Sequence, residues 1–339
     1  MAEKIISPGV FTRENDLSFL PQGVGEIGAA IVGPTVKGPI GIPTTVSSYA
    51  EYVSIFGDTF KSGSTGSEQY QQYLTSHTAE RYLQFAGALT VVRIDGDSAT
   101  VATASVCTSS AASSTLGTSF KLHTLSEGSI LNSVGSTGFT AGTNHALADG
   151  TTDNLRWEVT SKNDATGTFN LLIRRGDDTE NNKVVLETWN NLSLDSNATN
   201  YISKIVGDSF HTVQGTSADP YIQESGSYRT NSQYVRVEVL KETIDYLDSN
   251  GNIRVSAASA SLPANGSGSL AGAFGGGADG TRLAPAKYYK DISSTNSQGF
   301  DLNDITNTNG GASYAQALTL LQNQDQYDIN MIMVPGVNQ

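Results

Sequence analysis

The sequence predicts an α+β protein in which a layer of strands and helices is interrupted by a long β-rich stretch. Strand-like and helix-like patterns alternate over residues 28–94 and return over residues 313–334. The stretch between them contains short alternating apolar segments separated by turn residues, a pattern typical of a β-sandwich or barrel. The 35 Gly and the many Ser, Thr and Asn residues also favour strands and turns over helical bundles.

We expect four parts along the chain, because 339 residues exceed the length of about 100 to 200 that is usual for one domain. An insertion is tolerated where its two ends lie close together, so a core can resume after it. The predicted parts are an N-terminal arm at 1–20, the first part of an α/β core at 21–96, an inserted β-rich outer region at 97–276, and a return to the core at 277–339.

The first core part has the order strand, helix, helix, strand. The apolar run Ala29–Gly33 predicts a buried strand, and Ser47 or Ser48 can cap a helix that Gly57 ends. Interrupted apolar spacing predicts a second helix over Ser67–Phe85, and Leu89–Ile94 predicts a strand.

The middle and the end of the chain carry further signals. Residues 98–118 are either a linker or an edge strand, and 257–280 is a low-complexity run that predicts a second boundary. Strands are predicted at Leu155–Val159, Phe169–Arg174, Val184–Trp189, Tyr234–Leu240 and Ile329–Val334, and helices at Tyr201–Val206 and Ser313–Asn323.

The first twenty residues are predicted to be an extended arm. Ile5, Ile6, Val10 and Phe11 favour a strand, although Pro8 and Gly9 interrupt it. Such a segment cannot bury its apolar side chains alone. A terminal strand with free edges is suited to adding onto the sheet of another subunit.

Composition and charge exclude several function classes. The 20 Lys and Arg against 33 Asp and Glu give a net charge of −13, which argues against binding a nucleic-acid backbone or an anionic membrane. The sequence has neither an apolar run of about 18 residues nor a signal-peptide pattern, so we expect a soluble protein made in a cytoplasm. The single cysteine, Cys107, cannot form an internal disulfide or a thiolate metal cluster. Other proteins are the expected partners.

The motifs of the sequence indicate no catalytic, cofactor-binding or metal-binding residue. The run Gly23–Gly28 matches the dinucleotide pattern GxGxxG, but no strand precedes it and no helix opens at it. The run Gly275–Gly280 lacks the Lys and Ser or Thr of a phosphate-binding loop and is interpreted as a linker or turn. The histidines form no paired metal motif; they are His77, His123, His145 and His211.

Several segments form an ordered set of landmarks: Ile6–Glu14, Gly28–Pro39, Ser47–Gly57, Thr90–Ile94, Trp189–Asp195, Gly275–Gly280 and Met333–Gly336. As a set they closely resemble the tail sheath proteins of contractile-tailed bacteriophages. The resemblance covers both α/β portions and part of the insertion. It implies a structural subunit, not an enzyme, that polymerises as a helical sheath around a rigid tube and contracts to drive the tube through the host envelope.

The resemblance also implies partners and a linking segment. Neighbouring subunits would be joined by strands added to one another's sheets, and the partners would be copies of the chain, the tail tube protein, and baseplate and tail terminator proteins. The protein would be made in the host cytoplasm and would act in the virion, without a cofactor, nucleic acid or direct membrane contact. The family's conserved C-terminal region does not occur before Gln339. The inter-subunit arm would comprise Ile5, Ile6, Ser7, Pro8, Gly9, Val10, Phe11, Thr12, Arg13 and Glu14.

Two other functions stay open at this point. A capsid-decoration or adhesin-like β protein would explain the β-rich middle but not the α/β flanks. A nucleotide-dependent enzyme acting through Gly23–Gly28 would be indicated by thermal stabilisation with NAD or ATP.

Overall fold

The structure is a computed structural model that describes residues 28–62, 69–94, 99–108, 117–133, 144–216, 218–254, 261–279 and 311–337. These residues form many strands and few helices, which confirms the predicted α+β class. The predicted arm Ile5–Glu14 lies outside the described residues, and the four domain boundaries stay predictions.

The elements follow one another in a simple chain order. They are β1 (Ala29–Gly33), β2 (Thr44–Val46), α1 (Tyr49–Phe56), β3 (Thr59–Ser62), β4 (Gln69–Gln72), α2 (Leu74–Leu83), β5 (Leu89–Arg93), β6 (Val101–Cys107), β7 (Thr118–Glu127), a 3₁₀ turn (Ser129–Leu131), β8 (Leu155–Asn163), β9 (Thr168–Arg175), β10 (Val185–Ser193), α3 (Ile202–Ile205), β11 (Phe210–Thr216), β12 (Asp219–Ser225), β13 (Val235–Val239), α4 (Gly311–Leu321) and β14 (Met331–Met333).

A four-stranded sheet combines strands from both ends of the described chain, in the order β14-β1-β5-β2. Strand β1 is parallel to β14 and β5, and β2 is antiparallel to β5. The connection from β1 to β5 contains α1 and α2. The connection from β5 to β14 contains α4 and leads to the opposite side of β1 in the strand order. Because parallel crossovers are right-handed, helices of oppositely directed crossovers fall on opposite faces of the sheet.

The buried side chains show these two faces. Ile31 of β1 packs with Tyr52 of α1 and Ala79 of α2 on one face. Val32, the next residue, packs with Tyr314 of α4 on the other face. All five residues of β1 are buried, which explains why its sequence is a continuous apolar run and not an alternating one.

The predicted signals of α1 are confirmed. Ser48 is extended and its Oγ accepts a hydrogen bond of 3.2 Å from the N–H of Glu51. Gly57 ends the helix with a φ of 74°, a conformation that favours glycine, and a Cβ there would lie 2.8 Å from Val36 Cβ.

The second predicted helix begins later than expected. Over the predicted span Ser67–Phe85, residues 69–72 form β4, which pairs antiparallel with β3, and α2 begins only at Leu74. The spacing of Tyr70, Tyr73 and Leu74 fits a helix, but the β3–β4 pairing satisfies the backbone of this segment instead.

Most strands between residues 99 and 254 belong to two antiparallel sheets, ordered β10-β9-β8 and β13-β7-β6. Their inner faces share one buried cluster, in which the rings of Phe120 and Phe169 stack with centroids 5.7 Å apart. Residues 101–107 form β6, the last named strand of its sheet, so this part of the segment 98–118 is a strand and not a linker. The predicted short helix near Tyr201 is confirmed as α3.

The low-complexity run that predicted a boundary is paired with strands where it is described, at 261–279. The carbonyl oxygen of Gly272 accepts a hydrogen bond of 2.9 Å from the N–H of Trp157 in β8. Gly275 forms a β-bridge with Thr103 of β6. Position 268 has no room for a side chain, because a Cβ on Gly268 would lie 2.6 Å from the Trp157 ring. Gly268 and Gly272 are therefore required by their close approach to Trp157.

A hairpin that the sequence did not predict connects the two parts. Strands β11 and β12 pair antiparallel, and Val213 lies so close to Gly41 that a Cβ there would be 2.7 Å from Val213 Cγ2. Nearby, the buried guanidinium of Arg93 donates to Gly38 O at 2.6 Å and to Glu127 O at 2.8 Å. These contacts tie the end of β5 to the end of β7.

Candidate functional site

The candidate interaction site is the edge of the four-stranded sheet at β14. Among the described residues, β14 pairs with β1 and with no second strand. The N–H of Asn330 and of Met331 both donate to Gly28 O, at 2.7 and 3.2 Å. Since alternate residues of a strand direct their backbone groups to opposite sides, the N–H and C=O of Ile332 face away from β1 and are available to another strand.

Apolar side chains accompany this open backbone. Met331 is 39% exposed and Ile332 is 41% exposed, while Met333 packs against the cluster beneath α1 and α2. Edge strands usually carry charged side chains or proline that prevent pairing with another chain. Strand β14, with the sequence Met-Ile-Met, carries neither. This composition favours the addition of a strand.

A glycine fixes the position of the edge. A Cβ on Gly28 would lie 1.8 Å from the carbonyl oxygen of Asp328, so no other residue fits where the chain enters β1 beside β14. Gly28 is the last glycine of the GxGxxG pattern. Its role in the structure is the close approach of two backbones.

The other face of β14 is held by α4. Ile329 and Val334, which flank the strand, pack against the cluster that contains Tyr314 and Leu321 of α4. Burial raises the pKa of Tyr314 well above its usual range. The edge is thus presented on a packed layer, which lowers the conformational entropy lost when a partner strand binds.

The arm Ile5–Glu14 lies outside the described residues, so its role as an inter-subunit segment stays a prediction. In the described ranges, no group of three or more His, Cys, Asp or Glu side chains is placed to hold a metal ion.

The histidine with the most specific environment is His123. Its Nε2 lies 2.8 Å from Glu238 Oε2. Burial lowers the pKa of His123 although Glu238 opposes the shift, and the hydrogen bond with His123 lowers the pKa of Glu238.

A buried network of charges was not predicted from the sequence. Arg156 and Arg174 have fully buried side chains and both contact Asp178, Arg156 at 3.0 Å and Arg174 at 2.7 Å. Arg174 also contacts Glu158 at 2.7 Å, and Lys183 contacts Glu158 at 3.0 Å. Both arginines stand inside strands among apolar residues. This placement is the signal in the sequence that indicates buried charges.

The helices of the described chain give no membrane span, since none combines the length and the apolar character that crossing a bilayer needs.

Comparison with solved structures gives several structural neighbours, and two of them are sheath tail proteins. A sheath tail protein from Listeria innocua aligns with a TM-score of 0.36 and 11% identity, over 92% of this chain and 50% of its own. A sheath tail protein from Desulfitobacterium hafniense aligns with a TM-score of 0.34 and 12% identity, over 96% of this chain and 52% of its own. The chain therefore spans about half the length of each neighbour. No protein-family model and no curated protein matches the sequence.

Proposed function

We propose that this chain is a structural subunit of a contractile phage tail sheath, which polymerises around the tail tube and contracts to drive the tube through the host envelope. The observation that carries the proposal is the β14 edge, which pairs with no second strand among the described residues and carries the exposed Met331 and Ile332. The ordered sequence landmarks that resemble tail sheath proteins support it independently. The work of such a subunit is mechanical, and the proposal assigns no catalytic residue.

In the proposed assembly, the arm Ile5–Glu14 of one subunit adds as a strand to the sheet of a neighbour. About five main-chain hydrogen bonds at about 1 kcal/mol each would form. Burial of Val10 and Phe11 would add about 1.5–3 kcal/mol for each side chain. These are upper-end sums from which the entropy of association, about 4–15 kcal/mol, is still to be subtracted, and in the proposal the remainder joins the subunits without disulfides.

The length of the chain limits where the neighbour can lie. A fully extended chain from Glu14 to Gly28 spans at most about 50 Å. In the proposed assembly, the receiving edge therefore lies within about 50 Å of the Gly28 of the donating subunit.

Contraction without nucleotide hydrolysis requires stored free energy. In the proposed mechanism the extended lattice is metastable, and the contracted lattice buries more or better interface. A strand linkage keeps the subunits connected while they rotate. Modest gains at each interface, repeated over many subunits, supply the work.

The proposal also names partners of the chain and gives the β-rich part a position in the assembly. The tail tube, the baseplate and the tail terminator are the proposed partners besides other copies of the chain. The two sheets of residues 99–254 are proposed to face outward, where their polar surface meets solvent.

The test uses the complete protein and two matched variants. Ile332 and Ile253 are similarly exposed, at 41% and 39%, but only Ile332 lies on the β14 edge. We expect Ile332→Lys to abolish tubes in negative-stain electron microscopy, because lysine on an edge opposes strand addition, while Ile253→Lys still forms tubes. Deletion of residues 1–14 should leave a folded monomer. Normal tubes from the deletion or from Ile332→Lys would overturn the proposal.

A further inference from the structure

A cleft in the β-rich part, outside the sheet edge, has a volume of about 460 Å³. This size falls within the range of about 300–1,000 Å³ that is usual for small-molecule sites. The residues that line it and matter for its chemistry are Tyr201, Asp208, Tyr228, Arg236, Glu238 and Glu242.

Arg236 carries unused donors into this cleft. It lies on β13, half-buried, with its guanidinium carbon 4.2 Å from the centroid of the Phe210 ring. Within the described ranges, the guanidinium has no hydrogen bond and no ion pair. Burial lowers the pKa of Arg236, and the charges of Glu238 and Asp208 act in the opposite direction. None of its nitrogen atoms is both buried and without a partner, so these donors face the solvent of the cleft and are accessible to an acceptor on a ligand.

Unused acceptors lie in the same cleft. Asp208 Oδ1 accepts from the N–H of Ser227 at 2.8 Å and of Tyr228 at 2.7 Å, while Oδ2 has no partner among the described residues. Glu238 Oε2 lies 2.8 Å from His123 Nε2, and Oε1 likewise has no described partner. The cleft thus offers donors and acceptors together.

This combination selects one class of ligand. An anion would meet the carboxylates of Asp208, Glu238 and Glu242, and a cation would leave Arg236 without an acceptor. A hydroxyl group both donates and accepts, so neighbouring hydroxyls can accept from the guanidinium fork and donate to the carboxylates. The Tyr201 and Tyr228 side chains add apolar ring surface.

We propose that this cleft binds a neutral saccharide through Arg236, Asp208 and Glu238. Phe210 stacks on the guanidinium and orients it as a positioning residue. The proposal goes beyond the assembly function, because it gives the β-rich part a binding role of its own.

The test is ligand-observed saturation-transfer NMR with the methyl glycosides of glucose, galactose, mannose and N-acetylglucosamine at millimolar concentration. We expect at least one to bind the full chain. Arg236→Gln should weaken that binding about ten- to hundredfold. Arg236→Lys should also weaken it, because lysine keeps the charge but lacks the planar fork. Arg81→Gln, on α2 and exposed, is the matched control and should leave binding unchanged.

Three results would overturn the proposal: no glycoside binds the wild-type chain, binding survives both Arg236 variants, or acetate or methylguanidinium binds more tightly than every glycoside. Circular dichroism of each variant identifies a folding defect. If Arg236→Gln misfolds, the proposal is tested by comparing glycoside binding of the wild-type chain with that of Arg236→Lys.

Discussion

Replacing Arg174 by methionine tests how the buried charges hold the β-rich part together. The guanidinium donates to Asp178 at 2.7 and 2.9 Å and to Glu158 at 2.7 Å, and its side chain is fully buried. Methionine keeps much of the volume but removes all of these bonds. The matched control is Arg254→Met, because Arg254 pairs with Asp245 at 3.1 Å while both side chains are about half exposed.

The expected loss of unfolding free energy depends on which ion-pair partners each carboxylate retains after the substitution. Removing one member of a buried ion pair typically costs about 3–5 kcal/mol. After Arg174→Met, Asp178 keeps Arg156 at 3.0 Å and Glu158 keeps Lys183 at 3.0 Å, so we expect a loss near the lower end, about 3 kcal/mol. The exposed control should lose about 0–1 kcal/mol. Asp178→Asn should cost more than Arg174→Met, since it removes the carboxylate that both guanidinium groups share.

The assay is urea unfolding followed by tryptophan fluorescence. The sequence has 2 Trp, and both, Trp157 and Trp189, lie in β8 and β10 beside the network. Fluorescence therefore reports the unfolding of this part, which matters because a chain of this size need not unfold in one step. Equal losses from Arg174→Met and Arg254→Met would refute the reasoning.

Two further predictions concern the close approach at Gly28 and the pair His123–Glu238. Gly28→Ala should lower the thermal midpoint far more than Gly275→Ala, because a Cβ meets Asp328 O at 1.8 Å in the first case and nothing within 4 Å in the second, where φ is also not positive; equal midpoints in calorimetry would contradict this. The pKa of His123 is lowered from 6.5 by burial, so the folded chain binds fewer protons than the unfolded chain below that pH. Stability should therefore fall as the pH drops from 7 toward 5, and the nearby positive charges of Lys121 and Arg236 repel the protonated ring. The variant His123→Asn should reduce the slope of the unfolding free energy against pH.

Local signals predicted the elements that depend on local physics. The Ser48 cap and the Gly57 stop defined α1, and the apolar run of β1 identified a strand buried on both faces. These features act through neighbouring residues, so the sequence carries them directly. The α+β class followed from their order along the chain.

Elements that depend on distant residues were missed. Residues 69–72 fit a helical spacing but pair with β3, and Gly268 is explained only by the ring of Trp157. The β11–β12 hairpin lacks a strong apolar pattern because much of it is exposed. For the candidate site, the sequence identified the β14 strand, but only the pairing order shows that this strand lies at an edge.

Directed cross-linking between subunits tests the strand exchange most directly. In a background with Cys107→Ser, one batch of the complete protein carries Val10→Cys or Phe11→Cys, and a second batch carries Ile332→Cys. Paired strands bring side chains within disulfide range, so mixing the batches under oxidising conditions should give a covalent dimer of one subunit from each batch. Either Val10 or Phe11 should cross-link, since neighbouring residues of a strand face opposite sides. If neither mixture cross-links under conditions that form tubes, the arm does not add to the β14 edge.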